Sequence, residues 1–274
     1  MNQPFFVECC ALTDVGRIRS QNEDSVAIRS EIGVAVLADG MGGYQAGEVA
    51  SQLATETTIS TLVSELARID PVTTKSDSLL TDLFVQAIQE ANREIFDTAT
   101  RQPELKGMGT TLVATLFHGE KLLVAHVGDS RAYRLRAGML DQITKDHSEV
   151  QMQVDVGLLT PQEARHAPNK NLITRALGIQ ESVAVEIHGF PVRPDDLYLL
   201  CSDGLTDMLE DRTILEIVDA PELSLSHIAQ TLIELANQAG GLDNISVVVI
   251  RVMQDKTESG GFFRSMGNWI RQFD

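Results

Sequence analysis

The sequence predicts an α+β layered domain, with sheets packed together and helices outside. Two observations carry this. Short apolar stretches separated by glycine-containing turns recur along the chain, about ten in all, as strands do. Near the start, two long segments instead repeat apolar residues at helical spacing, and shorter helical patterns follow late in the chain. The chain has 274 residues, enough to bury a sizeable core, and neither a repeat nor a linker divides it.

Taken in order, residues 5–12, 25–29 and 33–38 read as strands. A helix is expected from Glu48 to about Leu66, with Val49, Leu53, Thr57, Ser60 and Val63 on one face. Pro71 and the polar run after it break the pattern. A second helix covers about Leu79 to Ala99, striped by Leu80, Leu83, Phe84, Ala87, Ile88, Ala91 and Ile95. From residue 112 the period changes to that of strands, with hairpins expected at His118-Gly119-Glu120 and Gly128-Asp129-Ser130. Residues 148–180 are mixed, with a helix start at Thr160-Pro161. Strands fit residues 183–189, 197–201 and 245–252, and helices fit 212–219 and 226–239, the latter stopped by Gly240-Gly241.

Composition narrows the function. Hydrophobic residues make up 43% of the chain, as in a globular protein, and the formal net charge is −17. That charge disfavours nucleic acid as a partner, since nothing would offset phosphate repulsion. Three cysteines, Cys9, Cys10 and Cys201, show no Cys-x-x-Cys spacing and read as reduced structural thiols of a cytoplasmic protein. The N-terminus lacks the pattern of a signal peptide, and no apolar run approaches the roughly 18 residues of a membrane span.

The chemistry lies in a repeated placement of carboxylates. Asp39 ends the run VAVLAD, Asp129 follows LLVAHVG, Asp203 follows LYLLCS, and Asp243 directly precedes the strand beginning at Ile245. Asn22-Glu23-Asp24 precedes a further strand. One strand-end Asp-Gly is ordinarily a turn. Four such aspartates are harder to assign to turns alone. Desolvated carboxylates need hydrogen bonds, a cation or exposure, and oxygen-only donors select hard divalent ions such as Mg²⁺, Mn²⁺ or Ca²⁺ over zinc. Gly40 and Gly204 would allow a sharp turn and a close backbone approach to an ion. Paired divalent ions activate water and clamp phosphoryl oxygens, and Arg19, just upstream of Glu23, is the candidate to hold a phosphate.

These residues resemble the metal-dependent serine/threonine protein phosphatases of type 2C in their compact bacterial form. The matching segments are GRIRSQNEDS (16–25), VLADGMGGYQAGEVAS (36–51), GMGTTLVA (107–114), AHVGDSRAYRLR (125–136), ITKDHSEV (143–150), ITRALG (173–178), LCSDGLTDML (200–209) and DNISVVVI (243–250). The resemblance implies an α-β-β-α sandwich, two packed antiparallel sheets flanked by helices, over a catalytic domain of residues 1–252. It implies hydrolysis of phosphoserine and phosphothreonine in proteins by a metal-activated water, with a serine/threonine kinase opposing it. Two core Mn²⁺ or Mg²⁺ ions and a third are expected.

By the same resemblance, Asp39 bridges two metals and Gly40 offers its carbonyl. Asp203 and Asp243 complete the first metal. Glu23 serves the second, directly or through water, with Asp24 beside it, and Asp129 with Asp203 holds the third. Arg19 binds the substrate phosphate. Asn244 and Thr111 support or pack against the ligands. Segment 148–180 matches the family's flap, in which His166, Asn169 and Lys170 are placed to touch substrate. Some members carry a histidine directly after the Asp-Gly as an acid for the leaving alkoxide. Here Met41 stands there, so that role falls to a metal-bound water or to another residue such as His147.

The tail 253–274 lies outside the resemblance. Met266, Trp269, Ile270 and Phe273 recur at helical spacing beside Arg264 and Arg271, so a short amphipathic helix docking on a partner or a membrane surface is expected. No heptad seam argues for a coiled-coil dimer, and a monomer is expected. The alternatives are a binding module without catalysis, which the full set of carboxylates disfavours, and an enzyme for small phosphoesters, which segment 148–180 disfavours.

Overall fold

The computed structural model describes residues 5–43, 46–68 and 77–254. Two antiparallel sheets face each other. The first is built from β1 (Phe5–Asp14), β11 (Ile245–Gln254), β10 (Leu197–Cys201), β7 (Arg131–Arg136) and β8 (Met139–Gln142), in that spatial order. The second runs β2 (Asp24–Arg29), β3 (Val34–Met41), β5 (Leu112–His118), β6 (Lys121–Val127) and β9 (Glu186–Pro191), with the short β4 (Gly109–Thr110) on the end of β3.

Helices cover both outer faces. α1 (Ala46–Arg68) and α2 (Asp77–Arg101) pack outside the second sheet. The one-turn α5 (Asp203–Thr206), α6 (Asp211–Val218) and α7 (Leu225–Gln238) cover the first. The short α3 (Glu149–Asp155) and α4 (Pro161–Arg165) lie within segment 148–180. The expected α-β-β-α sandwich is therefore present. Among the described residues no helix is long and apolar enough to cross a membrane, and the expected tail helix lies outside them.

Four layers explain why the central strands are apolar throughout. In β3, Ala35 and Leu37 face the other sheet while Val34, Val36 and Ala38 face the helices. In β10, Tyr198 and Leu200 point between the sheets, and Leu197, Leu199 and Cys201 point to α5–α7. Burying each large aliphatic side chain contributes about 1.5–3 kcal/mol, so both faces anchor the strand ends where the carboxylates sit.

Two expectations need correction. The buried face of α1 is carried by Ala46, Ala50, Ala54, Ile59 and Leu62, with Ser51, Thr55 and Thr58, whereas Ser60 and Val63 are exposed. Small residues let this helix approach β2 and β3 closely, and Thr55 Oγ1 lies 2.8 Å from Ser25 Oγ. Gly128-Asp129-Ser130 is not a hairpin. It carries the chain from β6 in one sheet to β7 in the other. The stripe of α2 and the β5–β6 hairpin are as expected.

Candidate active site

The strand-end carboxylates converge at one end of the sandwich. Asp24 opens β2 directly opposite Asp39 on β3. Asp129 lies in the crossover between sheets, Asp203 opens α5 directly beyond β10, and Asp243 precedes β11. Burial is the first cause raising the carboxyl groups of Asp39 and Asp203 well above the usual range. For Asp39 the further causes are the charges of Asp24, Asp203, Asp129 and Asp243. For Asp203 they are those of Asp129, Asp207, Asp243 and Asp24. Asp24 is pushed up to about 6 by burial, against hydrogen bonds that lower it, and Asp129 to about 7 by burial and then Asp146. Glu23 is also raised, chiefly by burial.

Hydrogen bonds fix the backbone beneath these groups. Thr111 N–H donates to Asp39 O at 2.9 Å, Asp39 N–H donates to Thr111 Oγ1 at 3.0 Å, and Thr110 Oγ1 donates to Asp39 O at 2.8 Å. Thr111 Oγ1 also meets Ser130 Oγ at 2.7 Å, which joins the Asp39 strand to the Asp129 crossover. Asn244 Oδ1 accepts from Glu23 N–H at 2.8 Å, and its Nδ2 donates to Val15 O and Gln21 O. One amide thus staples the loop that carries Arg19 and Glu23. Ser202 Oγ donates to Asp24 Oδ2 at 2.9 Å, while Asp24 Oδ1 is buried without a hydrogen-bond partner.

The glycines act through close packing. No turn follows Asp39, since β3 continues through Met41. A Cβ on Gly40 would lie 2.1 Å from Gly47 O and 2.4 Å from Glu23 O, and one on Gly204 would lie 2.0 Å from Asn244 O. Glycine lets α1, β3 and the Glu23 loop meet at one point.

Beside the cluster, a cleft of about 770 Å³ runs between segment 148–180 and the region of α5 and α6. Asp129, Asp203 and Asp207 form one end, and Arg131, His166 and Lys170 contribute to its walls. Lys170 Nζ pairs with Asp207 Oδ2 at 2.6 Å and Arg165 Nη2 donates to Leu209 O at 2.8 Å, fastening the segment across the cleft. Arg19 Nη2 pairs with Asp243 Oδ2 at 2.7 Å, and neither residue is among those lining the cleft.

A family model described as protein phosphatase 2C matches residues 17–240. The chain belongs to the protein phosphatase 2C family. It is 46% identical over 243 residues to the serine/threonine protein phosphatase PstP of Mycobacterium tuberculosis, covering 89% of this chain but 44% of that protein. The chain therefore spans less than half the length of that relative. It is 38% identical over 251 residues to the serine/threonine phosphatase stp of Listeria monocytogenes, covering 90% of this chain and 96% of the relative. The solved catalytic domain of PstP, in complex with two manganese ions, superimposes with a TM-score of 0.78 at 43% identity, covering 91% of this chain and all of that one.

Within this phosphatase 2C domain, the structure brings together Glu23, Asp24, Asp39, Gly40, Asp129, Asp203 and Asp243, with Arg19 at the rim. His166 and Lys170 line the cleft, whereas neither Asn169 nor His147 is among its lining residues. His147 is buried, with Nδ1 bonded to Gly128 N–H. Asp207 was missed by sequence reading, although LCSDGLTDML places it one helical turn after Asp203. Arg131 and Asp146 were missed too. They form a half-buried pair at 2.6 Å beside Asp129, across 15 residues of chain.

Proposed function

We propose that this chain hydrolyses phosphoserine and phosphothreonine in proteins with the aid of Mn²⁺ or Mg²⁺ bound at the carboxylate cluster. The observation that carries the reading is the convergence of Asp24, Asp39, Asp129, Asp203 and Asp243, whose charges, after burial, help raise the carboxyl groups of Asp24, Asp39 and Asp203. The donor set is all oxygen, which suits a hard cation, and the partnerless, buried Asp24 Oδ1 fits a site that gains a positive charge.

Asp39, the Gly40 carbonyl, Asp203 and Asp243 would hold one ion, Asp39 with Glu23 and Asp24 a second, and Asp129 with Asp203 a third. When bound, the ions supply an activated water and neutralise charge on the phosphoryl group. Arg19 orients the substrate phosphate through a guanidinium fork suited to it, and this requires it to exchange or share its partner Asp243. His166 and Lys170 meet the peptide around the phosphoresidue, whereas Asn169, expected to join them, lies off the cleft lining. Met41 holds no proton to give, so none passes from that position to the leaving alkoxide.

The physiological setting that fits is a monomer in the cytoplasm, opposing a serine/threonine kinase. The tail 253–274 supplies a docking element for a partner or a membrane surface. The activity is tested by following phosphate release from a phosphothreonine peptide in EDTA, Mg²⁺ or Mn²⁺. Turnover that needs added metal supports the reading, and turnover that persists in EDTA overturns it.

A further inference from the structure

His147 joins three parts of the molecule that are far apart in sequence. Its backbone N–H donates to Gly128 O at 2.9 Å, and Gly128 N–H donates back to His147 Nδ1 at 3.1 Å. Its carbonyl accepts from Thr174 N–H at 2.7 Å, near the far end of segment 148–180, and Ser148 beside it bridges to Ile173. Its Nε2 lies 3.2 Å from Glu186 Oε2 on β9, and its ring stacks on His126 with centroids 4.6 Å apart. The residue is only 7% exposed.

His126, His147 and Glu186 gather candidate ligand atoms within 4.8 Å of one another, but hydrogen-bond polarity argues against a cation there. Gly128 N–H donates into Nδ1, so Nδ1 keeps its lone pair and the ring proton sits on Nε2. A metal on Nε2 would move that proton to Nδ1, setting two N–H groups against each other. The Arg175 guanidinium also lies 3.2 Å from Nε2, so a positive charge already occupies that side; as a donor only, it makes no hydrogen bond to a protonated Nε2. The ring therefore works as a hydrogen-bonded strut, with Nε2–H donating to Glu186.

Gly128 leaves no slack at this point. Its φ is +104°, and a Cβ there would lie 2.7 Å from Thr111 Cβ, the residue that clasps Asp39. The next residue is Asp129. We infer that His147 is a positioning residue: its two bonds to Gly128 set the Asp129 carboxylate against Asp203, and its carbonyl ties that setting to the base of segment 148–180. The metal side of this inference rests on reading the carboxylate cluster as a metal centre.

The test compares wild type with His147→Asn, His147→Gln and His147→Ala. Asparagine can offer Oδ1 about where Nδ1 stands and keep the bond to Gly128. Glutamine can reach Glu186 but leaves Gly128 N–H without its acceptor. The readouts are Mn²⁺ binding by calorimetry, deuterium uptake at residues 126–131, and Tm. Replacing a group that supports a ligand costs metal affinity about tenfold or more, so Gln and Ala should weaken the weakest Mn²⁺ site by about that factor and speed exchange at 126–131. Asn should stay near wild type in both, even if its Tm falls as far as theirs. A folded Asn variant that behaves like Ala, or an Ala variant with unchanged exchange and binding, overturns the inference. Wild type that binds no Mn²⁺ overturns the metal reading instead, and exchange at 126–131 then decides the positioning role alone.

Discussion

Asp24 and Asp39 stand directly opposite each other at the open end of β2 and β3. Like charges in register across two strands are destabilising, and here burial strengthens the effect. In the metal-free protein, Asp24 is pushed up to about 6 and Asp39 is raised further, with burial the first cause for each.

The sign of the resulting pH dependence is fixed. These carboxyls have folded-state values above the unfolded value of about 3.9, so the folded chain holds more protons. Their stabilising contribution is complete below about pH 4 and is lost as pH rises through the folded values, about 6 for Asp24 and about 7 for Asp129. In EDTA, these groups should therefore lower Tm from pH 5.5 to pH 8. Added Mn²⁺ should raise Tm more at pH 8 than at pH 5.5, because ligands must lose protons to bind metal. An equal Mn²⁺ shift at both pH values would contradict this.

Asn244→Ala removes three hydrogen bonds that hold the loop bearing Arg19 and Glu23. Allowing for one buried group left unsatisfied, the cost is about 2 kcal/mol, which for a chain of this size lowers Tm by roughly 4–8 °C. Phosphopeptide turnover should fall further than the folded fraction does. Thermal melts beside kinetics at a temperature where the variant is fully folded check this.

Arg19 is half exposed and, among the described residues, its side chain pairs only with Asp243, at 2.7 Å. Such a pair contributes little to stability, so Arg19→Ala should leave Tm nearly unchanged. Losing charged hydrogen bonds to a phosphate should reduce kcat/KM for a phosphothreonine peptide roughly 10- to 100-fold, and Arg19→Lys should recover part of it. Steady-state kinetics of the three proteins decide it. A wild-type kcat/KM in Arg19→Ala would remove Arg19 from the site.

How far the site was legible in sequence follows from how each residue is placed. Asp39 and Asp203 stood out because apolar runs buried on both faces end on them. Asp129 stood out for the same reason, but its crossover read as a hairpin, because a passage between sheets and a turn within one both use a tight glycine. The face of α1 was misplaced because close packing selects alanine, serine and threonine, which carry little hydrophobic signal. The α2 stripe, built of large aliphatic side chains, was plain. The Arg131–Asp146 pair and the contact of His147 with Glu186 and Gly128 were hidden because nothing local marks two chain-distant groups that meet only after the sheets close. Gly40 and Gly204 were visible, but their reason, contact with Gly47 and Asn244, was tertiary.

The central claim, that the converging aspartates hold divalent metal, is tested most directly by titrating Mn²⁺ into metal-free wild type and Asp203→Asn while following the heat of binding. Asparagine keeps the size of the side chain and removes its charge. Wild type should bind at least two Mn²⁺ per chain, and the variant should lose the tightest site while remaining folded. Equal stoichiometry and affinity in the two proteins would contradict the account.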